Sequence, residues 1–367
     1  MTRVTQGDIA RAAGVHNTTV SLALRNHPAI PEPTRKRIQA VAEELGYSPD
    51  PALQALVAYR RGKTPARSHE TLAYVTGWQT KWGWQDDPVQ AQYHAGAQRK
   101  AVELGFHLEH FWLGEPGLTQ RRLNHVLFHR SIRGVFLASH RPDGEPLQEI
   151  GWDQFSAVVI GAFPSSPPLH RVVDDHAAAM RQAFRRIRAA GFERIGLVLP
   201  AEEDELTEQS WWTSYHAEQS RSAPGNRLAA FVYRGAADSA SRAFRAWYDR
   251  YQPEAIISTL PLERSPAHAA SVRAPQDAAW VNLRLEANDG ANAGLLANCG
   301  RVGEIAAEML VSHVQRNLRG LPSVPTTTLV DSAWAEGESL SPLSQRQSWQ
   351  SSPSRSPYAD DALVIAP

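Results

Sequence analysis

Val4–Asn26, VTQGDIARAAGVHNTTVSLALRN, has the spacing of two short helices joined by a tight turn. Thr5 and Asp8 sit three residues apart, so the Thr hydroxyl can accept from the first turn while the Asp carboxylate reaches back, a capping box. Ile9, Ala10 and Ala13 then form one apolar face, Gly14 takes the turn, and Val15 plugs the helix pair. A second helix is expected from Asn17 to Leu24, with Val20, Ala23 and Leu24 inward. That leaves Asn17, Thr18, Ser21 and Leu22 outward, on a helix of the kind that can lie in a DNA major groove.

Reading outward, a third helix is expected from Glu32 to Leu45, with Ile38, Val41, Ala42 and Leu45 at helical spacing and Gly46 ending it. Asp50 can cap a further short helix whose first residue is Pro51, where the missing N–H costs nothing. Leu53 and Leu56 fall on one face of it. So short a helix is marginal alone in water and needs a partner. Two such helices wedging leucines into a minor groove would supply one.

The 367 residues carry no net charge overall, but the charge is unevenly spread. Residues 1–67 hold a net +5, so the remainder is −5, which suits DNA contact through the head alone. The single cysteine, Cys299, excludes an internal disulfide and a cysteine-based metal cluster and fits a reducing compartment. No N-terminal apolar run reads as a signal peptide, and no stretch approaches the ~18 apolar residues of a membrane span, so a cytoplasmic location without membrane contact is expected.

Residues 4–61 resemble the DNA-binding head of the LacI/GalR family of transcription regulators. The resemblance rests on Val4-Thr5, Asp8-Ile9-Ala10, Ala13-Gly14-Val15, Thr19-Val20-Ser21, Thr34-Arg35 and Glu44-Leu45-Gly46-Tyr47 followed by Pro49. It implies that the second helix is the recognition helix, with Asn17 and Thr18 in the leading base-reading positions. Asn17 could pair bidentately with adenine and Thr18 could touch a thymine methyl. It further implies backbone contacts from Thr5, Thr19, Ser21, Thr34 and Tyr47, and a minor-groove wedge at Leu56. Four departures alter the expected code. His16 replaces the usual Ser cap, so Asn17 is open to use as a cap; Leu22 replaces a common base-reading Arg; Arg25, followed by Asn26, replaces an Asn; and Leu53 replaces a small hinge residue. Leu22 keeps the base-reading position, Arg25 and Asn26 keep the backbone positions, and Leu53 joins Leu56 as a wedge candidate.

Residues 63–70 are polar and read as a linker, after which short apolar strands alternate with helices. Strands are expected at 71–78, 107–113, 132–138, 156–161, 194–200, 227–234 and 254–259, and helices at 93–104, 120–130 and 175–190. Such alternation implies doubly wound parallel sheets, and some 270 residues call for two lobes. The body resembles the same family's effector-binding core, of the type I periplasmic-binding-protein-like kind, through Ile132-Arg133-Gly134-Val135, Val173-Asp174-Asp175, Ala190-Gly191-Phe192 with Arg194-Ile195-Gly196, and Val302-Gly303 with Ala306. The expected organisation is therefore an all-α helix-turn-helix domain at 1–49, a hinge helix and linker at 50–70, a two-lobed effector-binding and dimerisation core at 71–340, and a Ser/Pro/Gln-rich tail at 341–367. The tail lacks apolar periodicity and is expected to be disordered, though ALVIA at 362–366 could add a strand.

Ligands of such cores sit between the lobes, at the carboxyl ends of strands. The Arg and Asp that many sugar-binding members use are not evident in EQSWWTSYHAEQS or VNLRLEANDG. Tryptophan is the alternative: Trp78, Trp82 and Trp84 follow the first body strand, and Trp211 and Trp212 follow the Arg194 strand. Indoles stack on sugar rings, but they equally pack loops and interfaces. The histidine pairs His107/His110 and His125/His129 form no metal motif, and no cofactor or catalytic set is evident. The resemblance thus leads to a sequence-specific, ligand-responsive bacterial repressor of carbohydrate-related genes. It would bind a near-palindromic operator as a homodimer and respond to a small effector, a sugar among the candidates. Activation is the alternative within the family, and an enzyme or solute receptor with an incidental head is the alternative outside it.

Overall fold

The computed structural model describes residues 5–24, 27–45, 47, 70–140, 149–161, 167–341 and 363–366, the last four and 139–140 by backbone alone. In the head, α1 (Gln6–Ala13), α2 (Asn17–Leu24) and α3 (Glu32–Glu44) bury one small core of Ile9, Ala10, Ala13, Val20, Ala23, Ile38 and Ala42. Thr5 and Asp8 form the expected capping box, and Gly14 adopts the left-handed conformation (φ 63°) that ends α1. Leu45 departs from expectation. The helix stops at Glu44, the Tyr47 amide turns back to the Ala42 carbonyl, and Leu45 is left exposed at the C-cap.

In the body, strand periodicity buries both faces of two sheets. Along β1 (Glu70–Gly77), Leu72 and Tyr74 enter one core while Ala73 and Val75 enter the other. The first sheet adds β2 (Phe106–Trp112), β3 (Gly134–His140), β4 (Ser156–Ile160), β5 (His170–Asp174) and β11 (Thr327–Val330), in the order β11-β5-β4-β3-β1-β2, all parallel. Its two faces are covered by α4 (Pro88–Glu103) with α11 (Cys299–Arg316), and by α5 (Gln120–His129).

The second sheet holds β6 (Ile195–Pro200), β7 (Ala230–Tyr233), β8 (Ala255–Ser258), β9 (Ala279–Leu285), β10 (Ala293–Leu296), β12 (Ala333–Ala335) and β13 (Leu363–Ala366). Its order is β12-β10-β9-β8-β6-β7-β13. The edge strand β12 runs antiparallel to β10, the exception among these pairings. One face carries α6 (His176–Ala189) and α8 (Ser210–Gln219), the other α9 (Ala237–Tyr251). The short α7 (Ala201–Leu206) follows β6 directly, and α10 (Pro266–Ala269) lies against α9. The expected α/β class and two lobes are therefore present, and the suggested strand near the C-terminus forms at 363–366 along β7. The rest of the tail after Ser341, and the hinge and linker at 50–69, lie outside the described residues.

The chain passes between lobes after Asp174, between Leu296 and Cys299, and between Val330 and Ala333. On the first-lobe side of these crossovers, α4 and α11 pack backbone to backbone. A methyl group on Gly96 would fall 1.9 Å from the Gly300 carbonyl oxygen, and one on Gly303 would fall 2.1 Å from the Tyr93 carbonyl oxygen. Only glycine permits that approach. No described helix is long and apolar enough to cross a membrane.

Candidate functional site

Two places concentrate polar chemistry: the outer face of α2 and the crevice at the crossovers. On α2, Val20 and Ala23 point into the head core, which turns Asn17 and Thr18 to solvent and leaves Thr19, Ser21 and Leu22 half-buried. The expected opening for Asn17 as a cap is corrected. His16 caps the helix, its Nδ1 accepting from the Thr18 amide at 3.4 Å and lying 2.9 Å from the Thr18 hydroxyl. Asn17 is thereby released, and Thr18 keeps its methyl group for an apolar contact.

The other backbone candidates frame the same unit. The Thr5 hydroxyl donates to Asp8 at 2.7 Å, which with the Thr5 amide holds the Asp8 carboxyl below its ordinary value. The Tyr47 hydroxyl accepts from Gln6 at 3.3 Å, and Thr34 lies half-buried in the first turn of α3. Arg25, Asn26, Leu53 and Leu56 fall outside the described residues.

The crevice is built where the crossovers meet. An inner cavity of about 100 Å³ is lined by Asp87, Tyr93 and Asp174 of the first lobe and by Glu203, Trp211 and Arg284 of the second. It continues outward into a space of about 530 Å³ bordered by Trp78, Asp86, Arg264 and Glu286. Local structure places each group. Asp87 is the N-cap of α4, accepting from the Val89 amide at 2.8 Å just before Pro88. Asp174 ends β5, His176 begins α6, and Cys299 begins α11. Arg284 interrupts the otherwise buried run of β9.

Arg284 bonds Glu203 at 3.2 Å and stands 3.9 Å from Asp87, a bridge between the lobes. Burial works against its charge, but those carboxylates outweigh it and hold the guanidinium above its ordinary value. The Tyr93 hydroxyl donates to one oxygen of Asp174, while the other oxygen, Oδ1, is buried without a hydrogen bond. Burial, opposed by Tyr93 and Arg284, pushes the Asp174 carboxyl up. Burial and then the charge of Asp174 keep the Tyr93 phenol protonated. The His176 ring lies 4.4 Å from Trp211, and burial, then Arg284, pulls it down to about 4, so it is neutral at pH 7. Burial also raises the Cys299 thiol, which makes it a poor nucleophile.

Of the five tryptophans expected at a ligand, Trp78 and Trp211 reach the crevice. Trp84 is instead buried, layered 4.7 Å from His94 and 5.9 Å from Tyr74, and so belongs to the first-lobe core. Trp82 is half-exposed against His110. Trp212 is turned away from Trp211 by one helical step and packs on the second-lobe core beside His216. Asp87, Tyr93, Asp174, Glu203 and Arg284 were not singled out in the sequence as ligand groups. Asp87-Pro88 carries the same cap signature as Asp50-Pro51, and Arg284 stands as a lone charge within AWVNLRL; either could have marked the place. Among the described residues no group of three or more His, Cys, Asp and Glu is placed to hold a metal ion.

A helix-turn-helix head is thus followed by a two-lobed core with a polar crevice at its crossovers. Residues 5–50 match the family model described as bacterial regulatory proteins, lacI family. It is similar to the HTH-type transcriptional regulator CelR of Thermobifida fusca, 29% identical over 52% of this chain and 54% of that protein. TreR of Escherichia coli is 41% identical over 39% of this chain and 50% of its own length. The chain thus spans about half the length of these curated relatives. Among solved structures, a CelR–cellobiose complex covers 92% of this chain and 100% of its own at 22% identity and a TM-score of 0.55. The Lac repressor dimer bound to operator and the anti-inducer ONPF covers 93% and 100% at 14% identity and a TM-score of 0.56. These two likenesses establish the shared fold.

Proposed function

We propose that this protein is a sequence-specific transcription regulator, a ligand-responsive repressor of carbohydrate-related genes acting as a cytoplasmic homodimer. The observation that carries the reading is the placement of a polar, tryptophan-lined crevice on the crossovers of a core that follows a DNA-reading head. In this reading Asn17 and Thr18 read bases with Leu22 beside them. Thr5, Thr19, Ser21, Arg25, Asn26, Thr34 and Tyr47 hold the backbone, and Leu56 and Leu53 wedge the minor groove. Residues 50–70 link head to core, and 71–340 bind effector and dimerise. A ligand that favours one lobe angle would change the spacing of the paired hinges and hence operator affinity. The cellobiose complex among the structures of like fold supports a saccharide as the effector.

The test is selection of bound genomic fragments by the full chain, followed by gel-shift titration of the recovered site with saccharides. A near-palindromic site next to sugar-utilisation genes, released by one of the sugars, is the expected result. Binding that is indifferent to sequence would overturn the reading.

A further inference from the structure

The crevice holds an unbalanced set of charges. In the inner cavity Arg284 faces three carboxylates, those of Asp87, Asp174 and Glu203. Further out Arg264 faces Asp86 and Glu286. Glu203 and Asp87 are matched to Arg284. Asp174 is not matched in this way. It is only 7% exposed, one oxygen takes the Tyr93 hydroxyl, and Oδ1 receives no hydrogen bond at all. A buried carboxylate left with an empty acceptor is costly unless something supplies both a donor and positive charge.

A neutral hydroxyl would fill the acceptor but leave the charge, and an acidic ligand would add to the excess. A metal ion lacks a ligand set among the described residues. The group that answers both needs is an organic ammonium. Trp211 borders the same cavity, only 3% exposed and with the His176 ring 4.4 Å away.

We propose that the effector bears a primary amine whose ammonium pairs with Asp174, which makes it an amino sugar or amine-substituted oligosaccharide. This rests on the reading of the crevice as the effector site. Arg284 is then a structural bridge between the lobes, not an anion receptor. Burial pushes the Asp174 carboxyl up in the empty protein, and an ammonium beside it would lower it again.

The test is calorimetric titration of the full-length protein with glucosamine and its β-1,4-linked dimer, against glucose, cellobiose, N-acetylglucosamine, glucuronate and spermidine. The amines should bind at least about tenfold more tightly than their hydroxyl or N-acetyl counterparts, and glucuronate should not bind. Asp174→Asn should abolish the amine's advantage over its matched neutral sugar. The comparison of amine with N-acetyl ligand on the unaltered protein makes the same test if that variant fails to fold. Equal affinity for amine and neutral sugar would overturn the amine assignment and leave the carbohydrate reading standing. Spermidine binding that requires Asp174, without saccharide binding, would uphold the ammonium site and overturn the carbohydrate reading. No binding by any of these ligands would overturn both.

Discussion

His16 in the capping position sets what the neighbouring residues are free to do. Because its ring takes the Thr18 amide, Asn17 keeps its amide fork out of the cap, as the proposed adenine contact requires. Asn17→Ala should cost about 1–3 kcal/mol of operator affinity and little on scrambled DNA, as read by fluorescence anisotropy on both duplexes. Equal losses on the two would assign Asn17 to backbone contact. In the crevice, His176 gives a stability signature. Its folded value of about 4 lies below the ordinary 6.5, so the folded state resists its protonation. The contribution is present above pH 6.5 and is lost as the pH falls toward 4. Melting temperatures should therefore drop across that window, and His176→Gln should flatten the drop. Asp174 has the opposite sign. Its raised carboxyl costs stability once ionised, so Asp174→Asn should raise the melting temperature of the empty protein at pH 7.

At the scale of elements, the Gly96–Gly300 and Tyr93–Gly303 approaches fix the distance between α4 and α11. Gly303→Ala pushes a methyl into the carbonyl of the residue that holds Asp174, and it should destabilise the fold by about 1–3 kcal/mol. It should also weaken crevice ligands, since the helix pair must part to admit it; unchanged ligand affinity would show that Tyr93 adjusts freely. What the sequence disclosed follows the same scale. The Thr5–Asp8 box, the Gly14 turn and the strand–helix alternation are local patterns, and each is found where spacing put it. The crevice is different, because Asp87, Asp174, Glu203 and Arg284 come from four separate elements and meet only through the crossovers. Nothing in local spacing brings them together. The tryptophans misled for a related reason: 78, 82 and 84 share one short segment, yet their rings go to crevice, surface and core respectively.

For the whole molecule, the proposed function links effector and operator through one lobe arrangement, and each would then change the other's affinity by the same factor. Calorimetry with and without operator DNA, set against DNA titration with and without effector, should return equal ratios. Unequal ratios would show that the two ligands do not share a two-state core. The crossovers carry a further consequence, for the order in which the molecule can be made. The first lobe needs α11 and β11, and these follow the entire run from α6 to β10 that belongs to the second lobe. On the ribosome the small head can close early, but the first sheet must wait with β5 as an open edge until residue 330 has emerged. Nascent chains halted before that point would expose the edge, and they are the species on which a chaperone would act.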